Sequence, residues 1–98
     1  MEKRRPTYDL AAVLAVFADP GALAITTSAF RDATALGFDR VGVTRVIQSM
    51  DRTMFVKSMT TFADHRVWQD VYRPTTTAGE VYLKLVVLAV PMVSFKEL

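Results

Sequence analysis

Two segments of the N-terminal half place apolar residues at the spacing of amphipathic helices. In residues 8–18 the apolar positions i, i+3, i+4 and i+7 are Leu10, Val13, Leu14 and Phe17. After Asp39, which can cap a helix, the core-spaced positions are Val43, Val46, Ile47 and Met50. Each segment is therefore predicted to be a helix with one face against a core.

A further helix is predicted between these two. Thr27 or Ser28 can cap a helix that runs through Leu36, and Gly37 can supply the left-handed residue that ends it. The preceding residues 22–26 are too few for a helix and suit a brief strand at a sheet edge.

The segments before and after the three predicted helices are less regular. The basic residues 1–6 could touch a phosphate backbone, although a frayed terminus is the expected state. Asp51 begins a short fourth helical turn, in which Phe55 should contact the core and direct Lys57 outward. The chain beyond Lys57 could be helical or extended.

The C-terminal half changes to the period of two that is typical of β-strands. In residues 66–73 one side comprises Trp68, Asp70 and Tyr72, and the other comprises Val67, Gln69, Val71 and Arg73. In residues 80–88 the core side comprises Val81, Leu83, Leu85 and Val87, and the outer side comprises Glu80, Tyr82 and Lys84. The turn-rich residues 74–79 and 89–91 separate these strands from each other and from a last strand. In that last strand the inward positions are Val93 and Phe95, and the outward positions are Ser94 and Lys96.

Helices followed by a meander of three antiparallel strands predict an α+β fold, with the helices on one face of the sheet and the other face open. Tyr82 and Lys96 then share the open face. Gln69 joins them if Trp68 and Tyr72 are on the core side of their strand, which periodicity alone does not decide. We predict that arrangement.

The composition fits a single globular domain spanning residues 1–98, since about half of the residues are apolar. No apolar run approaches the roughly 18 to 20 residues of a membrane span, and the start MEKRRP lacks the apolar segment of a signal peptide. A cytoplasmic location is therefore expected. The absence of cysteine excludes disulfides, thiol nucleophiles and most structural zinc sites, and the single histidine, His65, cannot build a metal site alone.

The C-terminal half gathers cations, an amide and a phenol. These residues are Lys57, His65, Gln69, Arg73, Tyr82, Lys84 and Lys96. Such side chains suit an anionic substrate handled without a metal or other cofactor, because hard metal ions need several oxygen ligands and soft ones need thiolates. The net charge of +2 and the pI of about 9.2 agree with a nucleic-acid substrate. A phosphodiester is the natural candidate.

The run KSMTTFADHRVWQDVYRP, with the later GEVYLK and VSFKEL, carries a resemblance to a known family. The segments MEKR, TTSA and ALG upstream add to it. The chain closely resembles the motility quorum-sensing regulator (MqsR) family of mRNA interferase toxins over nearly its whole length, most strongly after Phe55. Its first helix, AAVLAVFA, is more apolar than the lysine-bearing helix of that family.

The resemblance implies a RelE-like microbial ribonuclease toxin fold and a ribosome-independent, metal-independent endoribonuclease. Such an enzyme arrests translation by cutting mRNA at short GC-containing sites such as GCU. The family's active-site positions fall on Lys57, Gln69, Tyr82 and Lys96. The resemblance also implies an MqsA-like antitoxin partner, with a zinc-bearing N-terminal domain and a helix-turn-helix domain that contacts operator DNA.

These residue types have roles in RNA cleavage by the nucleotide's own 2′-hydroxyl. Lys57 and Lys96 can offset the negative charge of the phosphorane. Tyr82 can shuttle a proton or orient the nucleophile, and Gln69 can donate to a phosphate oxygen or hold a base edge. Arg73 can clamp a neighbouring phosphate.

Each of these residues also has a structural interpretation. The lysines, including Lys84, whose role stays undecided, could be solvated surface residues, and Tyr82 could be an ordinary strand aromatic. His65 could stabilise its turn, contact substrate or act as a base, and Trp68 could stack a base, although core packing is expected. A noncatalytic RNA- or protein-binding module on the same fold is the alternative to the enzyme.

Overall fold

Helices pack on one face of an antiparallel sheet. The computed structural model describes residues 1–19, 21, 24–62, 64–86 and 92–97, with the last segment described through its backbone. Its helices are α1 (Leu10–Val16), α2 (Thr27–Ala35) and α3 (Arg40–Gln48), followed by a 3₁₀ turn (Arg52–Met54). Its strands are β1 (Glu2–Lys3), β2 (Phe55–Thr60), β3 (Trp68–Tyr72), β4 (Thr75–Thr76), β5 (Gly79–Val86) and β6 (Met92–Glu97). The α+β prediction is confirmed.

The sheet is larger than the predicted three-stranded meander. Its main path runs β1-β2-β3-β5-β6 with every pair antiparallel, and the short β4 pairs with the beginning of β5. Beyond the three predicted strands it contains β1 and β4, which were not predicted, and β2, part of which could have been helical or extended. β1 and β4 have two residues each, too few to show a period, and the FVKSMT sequence of β2 directly continues a helical turn, so none of these strands has a distinct sequence signal.

One core lies between the helices and the sheet. From the helices it includes Val13, Phe17, Ala29, Ala33, Val43, Val46, Ile47 and Met50, and from the sheet Tyr72, Val81, Leu83 and Leu85. The predicted stripes of α1 and α3 are confirmed, as is the predicted core side of β5 at Val81, Leu83 and Leu85, while Val87 lies outside the described residues. Because Tyr72 is in this core, the Trp68 side of β3 faces the helices and the Gln69 side belongs to the open face, as predicted.

The cap of α2 differs from the prediction by one residue. Thr26, rather than Thr27 or Ser28, has extended backbone geometry, and its hydroxyl accepts a hydrogen bond from the amide of Ala29 at 3.1 Å. The cap must precede the first helical residue, and Thr27 is already helical. Gly37 ends the helix with a φ of 90°, the left-handed geometry that was predicted.

Aspartates cap the next two elements as predicted. Asp39 accepts a hydrogen bond from the amide of Gly42 at 2.7 Å, and Asp51 accepts one from the amide of Thr53 at 2.9 Å. The helical turn after Asp51 is a single 3₁₀ turn, and the chain becomes extended at once. Lys57 therefore lies within β2, and the extended alternative for this segment is the correct one.

The prediction of a frayed N-terminus is wrong. β1 pairs with β2 in the register Glu2↔Met59 and Lys3↔Ser58, and the amide of Thr60 donates to the carbonyl of Met1 at 3.0 Å. β1 thus forms one edge of the sheet. The physical reason is that β2 offers an unpaired backbone edge, which a short extended segment can satisfy.

A buried carboxylate fixes the chain just after β1. Asp70 is 1% exposed, and its two oxygens accept hydrogen bonds from the amides of Thr7 at 3.0 Å and Tyr8 at 2.9 Å. The Tyr8 hydroxyl donates to the carbonyl of Trp68 at 2.6 Å, and the Lys3 ammonium lies 4.4 Å from the centre of the Trp68 ring. These contacts connect the N-terminal segment to β3, across β2.

Tyr72 is a neutral core residue. Its hydroxyl is buried and has no hydrogen-bond partner among the described residues, and its ring meets Phe55 edge to face at 5.5 Å. Burial first, and then the charge of Asp70, raises the pKa of the Tyr72 phenol to about 12. This tyrosine does not ionise near neutral pH.

Some predictions fall outside the described residues. Ile25 forms an isolated β-bridge, but residues 22 and 23 of the predicted brief strand are outside the description, as is the turn at 89–91. In β6 the backbone register pairs Leu83 with Phe95 and Leu85 with Val93, while the side chains of that strand are not described. No described helix is long and apolar enough to cross a membrane.

Candidate active site

A hollow of about 500 Å³ lies on the open face of the sheet. It is lined by Glu2, Arg4, Val56, Lys57, Met59, Val71, Tyr82 and Lys84. We call it the open-face hollow. Its charged groups are three cations and one carboxylate, so its electrostatic character is positive and suits an anionic ligand.

A row of register-paired residues crosses the middle of the hollow. Lys57 on β2 pairs with Val71 on β3, and Val71 pairs with Lys84 on β5. Neighbouring strands lie about 4.8 Å apart, so the Cα atoms of Lys57 and Lys84 are separated by roughly 10 Å. Their long side chains can therefore reach one phosphate between them. The structure thus brings Lys84, whose role the sequence does not decide, into the hollow with Lys57.

Tyr82 lies in the next row, at one end of the hollow. It is half-buried, and it precedes Lys84 by two residues on the same side of β5. The backbone register pairs Tyr82 with Lys96 on β6. Lys96 therefore occupies the ladder position directly opposite the phenol-bearing residue.

Gln69 does not line the hollow. It lies on the opposite side of the Lys57–Val71–Lys84 row from Tyr82. It pairs with Met59, two residues before Val71 on β3, and it is half-buried. A strand advances about 3.3 Å per residue, so Gln69 is roughly 13 Å along the sheet from the row of Tyr82. The expectation that Gln69 and Tyr82 share one hollow is therefore corrected: both belong to the open face, but the Lys57 row separates them.

Arg73 and His65 also lie outside the hollow. Arg73 is exposed at the end of β3, where its guanidinium lies 3.4 Å from the carboxylate of Glu80. His65 is exposed in the turn between β2 and β3. Its neighbours Asp64 and Arg66 form an ion pair at 3.1 Å, and hydrogen bonds from Arg66 lower the pKa of the Asp64 carboxyl. Neither residue lines the hollow.

An ion pair joins β1 to the candidate catalytic lysine. The Lys57 ammonium donates to the Glu2 carboxylate at 2.7 Å, with side chains 34% and 58% exposed. The hydrogen bond from Lys57, followed by its charge, lowers the pKa of the Glu2 carboxyl. Glu2 and Arg4 are not predicted from the sequence as site residues, because the basic residues 1–6 suggest a mobile arm. The available signal was their spacing of two, which places both on one face of a strand.

Two further grooves lie outside the open-face hollow. One, of about 630 Å³, runs between the N-terminal segment, α1 and the 3₁₀ turn, and includes Arg5, Asp9, Leu10 and Arg52. The other, of about 560 Å³, lies between α3 and β4. None of the candidate site residues lines either groove.

Comparison with known proteins places the chain in a family. The family model described as "Motility quorum-sensing regulator, toxin of MqsA" matches residues 5–97. A curated protein of Escherichia coli strain K12, the mRNA interferase toxin MqsR, is 46% identical over 98 residues, covering 99% of this chain and 99% of its own length. The family match includes β2, β3 and β5, which line the open-face hollow, and the match to the curated protein also extends over β1. The chain therefore belongs to the motility quorum-sensing regulator family of toxins.

Proposed function

We propose that this chain is an endoribonuclease that cuts mRNA, and that the scissile phosphate binds in the open-face hollow. The observation that carries the proposal is the joint placement of Arg4, Lys57, Tyr82 and Lys84 around one hollow on the face of the sheet away from the helices. This placement occurs in a chain that is 46% identical to a protein named an mRNA interferase.

The chemistry that suits this hollow is attack by the nucleotide's own 2′-hydroxyl on the adjacent phosphorus. It leaves a 2′,3′-cyclic phosphate and a 5′-hydroxyl, and it needs no metal-bound water. The protein must stabilise the negative phosphorane, remove the 2′ proton and supply a proton to the 5′ oxygen. It must also hold the attacking and leaving oxygens in line with phosphorus, and such positioning can contribute about 7 to 11 kcal/mol.

Lys57 and Lys84 stabilise the phosphorane in this proposal. They approach the middle of the hollow from β2 and β5, on either side of the buried Val71. Two ammonium groups on opposite sides of a phosphate can each donate to a different non-bridging oxygen. The interaction strengthens as negative charge accumulates on those oxygens, which is the condition for accelerating the reaction rather than only binding substrate.

Tyr82 is the proton donor to the leaving 5′ oxygen, with Lys96 beside it. The hydroxyl of Tyr82 has a hydrogen to donate, and the register places Lys96 opposite it on β6. This phenol is distinct from that of Tyr72, which is buried in the core.

The other candidate residues bind the nucleotides that flank the scissile linkage. Gln69, about two rows from Tyr82, can donate to a base edge or to a phosphate on one side. Arg73 extends from the other end of β3 and can exchange its exposed pairing with Glu80 for a phosphate. His65, at the turn beyond Gln69, can contact the chain further along. The surface from Arg73 along β3 to Gln69 and His65 is long enough for a short GC-containing recognition site such as GCU.

The biological role follows from the same family. The chain acts as the toxin of a type II toxin–antitoxin pair, cutting free mRNA without the ribosome and arresting translation in the cytoplasm. Its partner is an MqsA-like antitoxin with a zinc-bearing N-terminal domain and a helix-turn-helix domain, through which the complex meets operator DNA. The zinc belongs to the partner.

The test is cleavage of a labelled RNA containing a GCU site by the purified chain in EDTA. We expect fragments that end in a 2′,3′-cyclic phosphate and begin with a 5′-hydroxyl. A matched RNA with a single 2′-deoxynucleotide at the cut position should stay intact, because it lacks the nucleophile. A shift of the RNA without cleavage would favour a noncatalytic binding module, and cleavage that requires added magnesium would contradict the metal-independent mechanism.

A further inference from the structure

Glu2 is the one carboxylate among the described residues that line the open-face hollow. The reaction in this hollow needs a group to accept the 2′ proton, and the other lining side chains are cationic, apolar or phenolic. A carboxylate is the best proton acceptor in that set at neutral pH. Glu2 is therefore a candidate for the proton acceptor, in addition to being the ion-pair partner of Lys57.

β1 holds Glu2 in a defined position. The ladder with β2 pairs Glu2 with Met59, which lines the same hollow, and Lys3 with Ser58. The carbonyl of the preceding residue accepts a hydrogen bond from Thr60, so the backbone is fixed on both sides of Glu2. This anchoring keeps the carboxylate at the rim of the hollow and beside Lys57 rather than free in solvent.

We propose that Glu2 is the general base that removes the 2′-hydroxyl proton, an assignment that rests on the proposed endoribonuclease function. It adds a catalytic residue from the N-terminal strand to those on the C-terminal strands.

The ion pair brings the carboxylate and the phosphate to the same ammonium group. An ammonium has three N–H donors, and Glu2 takes one of them at 2.7 Å. The remaining donors can bind a non-bridging phosphate oxygen at about 2.8 Å. The carboxylate then lies within roughly 5 Å of that oxygen, by two charge-assisted hydrogen-bond lengths. The 2′ oxygen, which attacks the same phosphorus, would then also lie close to the Glu2 carboxylate.

Glu2 and Tyr82 stand on opposite sides of the hollow, as in-line attack requires. β2 and β3 separate the strands that carry them, which is roughly 14 Å across the sheet, and the row of Glu2 and Met59 is roughly 13 Å along the sheet from the row of Tyr82, so the two Cα atoms are roughly 19 Å apart. Long side chains from both strands can reach towards a phosphate at the Lys57 row. A base on one side and an acid on the other serve the attacking and leaving oxygens, respectively.

The step balances with these two groups. The 2′ oxygen gives its proton to the Glu2 carboxylate and forms a bond to phosphorus, while the bond from phosphorus to the 5′ oxygen breaks. The 5′ oxygen takes the proton of Tyr82. Water then accepts the proton from Glu2 and returns one to Tyr82, which restores both groups.

The charge state of Glu2 meets one requirement of this role, which is that the group be ionised at neutral pH. Lys57 donates to it, and the positive charges of the N-terminal ammonium and Arg4 act in the same direction, so the pKa of the Glu2 carboxyl is lowered. The carboxylate is therefore ionised at neutral pH, and the same shift makes it a weaker proton acceptor, so its contribution as a base depends on its position beside the 2′-hydroxyl. Cleavage should fall only in acid, as pH drops through this lowered pKa.

The test compares Glu2→Gln with Asp19→Asn in untagged protein. Asp19 is an exposed aspartate after α1, and its replacement changes the net charge equally. We expect Glu2→Gln to lower kcat by about 10²- to 10⁴-fold, the usual contribution of a general base. KM should stay the same or fall, because a negative charge leaves the phosphate site. Glu2→Asp should recover part of the rate, and Asp19→Asn should cleave like the wild type.

Several outcomes would overturn the assignment. If Glu2→Gln cuts as fast as the wild type or faster, Glu2 only competes with phosphate for Lys57. If Glu2→Asp is as slow as Glu2→Gln, the carboxylate is not the acceptor. A loss of rate that matches a loss of folded protein in thermal unfolding would indicate a structural role. In each case wild-type cleavage keeps the proposed function, whereas a wild type that leaves RNA intact removes both.

Discussion

Replacing Lys57 with methionine is expected to slow RNA cleavage by about 10²- to 10³-fold, the cost of removing one preorganised charge-stabilising donor. Lys57 lies at the centre of the open-face hollow and is oriented by its hydrogen bond to Glu2. Methionine keeps the unbranched apolar stem of the side chain and removes the ammonium. Single-turnover rates on a labelled GCU-containing RNA measure the effect.

The fold should tolerate this change. The Lys57–Glu2 pair lies at the surface, and pairs of this kind contribute little to stability. Arg31→Met is the matched control, because it removes one positive charge from an exposed position of α2. We expect Arg31→Met to cut RNA at nearly the wild-type rate. Equal rates for Lys57→Met and the wild type would show that the phosphorane is stabilised elsewhere.

Replacing Asp70 with alanine is expected to destabilise the fold by about 3 kcal/mol, because the amides of Thr7 and Tyr8 lose a buried, charged acceptor. For a domain of this size the melting temperature should fall by roughly 10 to 20 °C. The anchor of the N-terminal segment is lost at the same time. Thermal unfolding followed by circular dichroism measures the first effect, and hydrogen exchange at Lys3 measures the second.

Glu80→Ala is the control for this variant. Glu80 is a carboxylate of the same sheet, but it is half exposed and pairs with Arg73 at the surface. Its loss should cost about 0–1 kcal/mol, as for other surface pairs. If Asp70→Ala unfolds at the same temperature as Glu80→Ala, the two hydrogen bonds to the N-terminal segment do not hold it in place.

Much of the fold follows from periodicity, where elements are long enough to show it. The stripes of α1 and α3 and the alternation of β5 identify their buried faces, because each repeats its pattern over at least two turns or four residues. β1 has only two residues, and its formation depends on the free edge of β2 rather than on its own sequence. The cap of α2 depends on which of three consecutive hydroxyl residues starts the helix, and composition does not distinguish them.

The sequence predicts which side of each strand the site residues occupy, but not which of them lie opposite one another on neighbouring strands. Alternation places Tyr82 and Lys84 together on one side of β5, and the choice of side for β3 follows once Tyr72 is assigned to the core. Cross-strand neighbours depend on the register of the strands. A shift of two residues keeps the same side chains on each face, so alternation alone does not identify the neighbours. For this reason the sequence could not show that Lys57 lies level with Lys84, or that Glu2 meets Lys57 across the edge of the sheet.

The central claim is that RNA binds across the open face of the sheet, with its scissile phosphate beside Lys57. The most direct measurement is an NMR titration of the isotope-labelled chain with a GCU-containing RNA that carries a 2′-deoxynucleotide at the cut position and is not cleaved. We predict that the largest amide shifts occur at Lys57, Val71 and Lys84. Shifts concentrated instead at Leu10 and Arg52, in the groove beside α1, would contradict the claim.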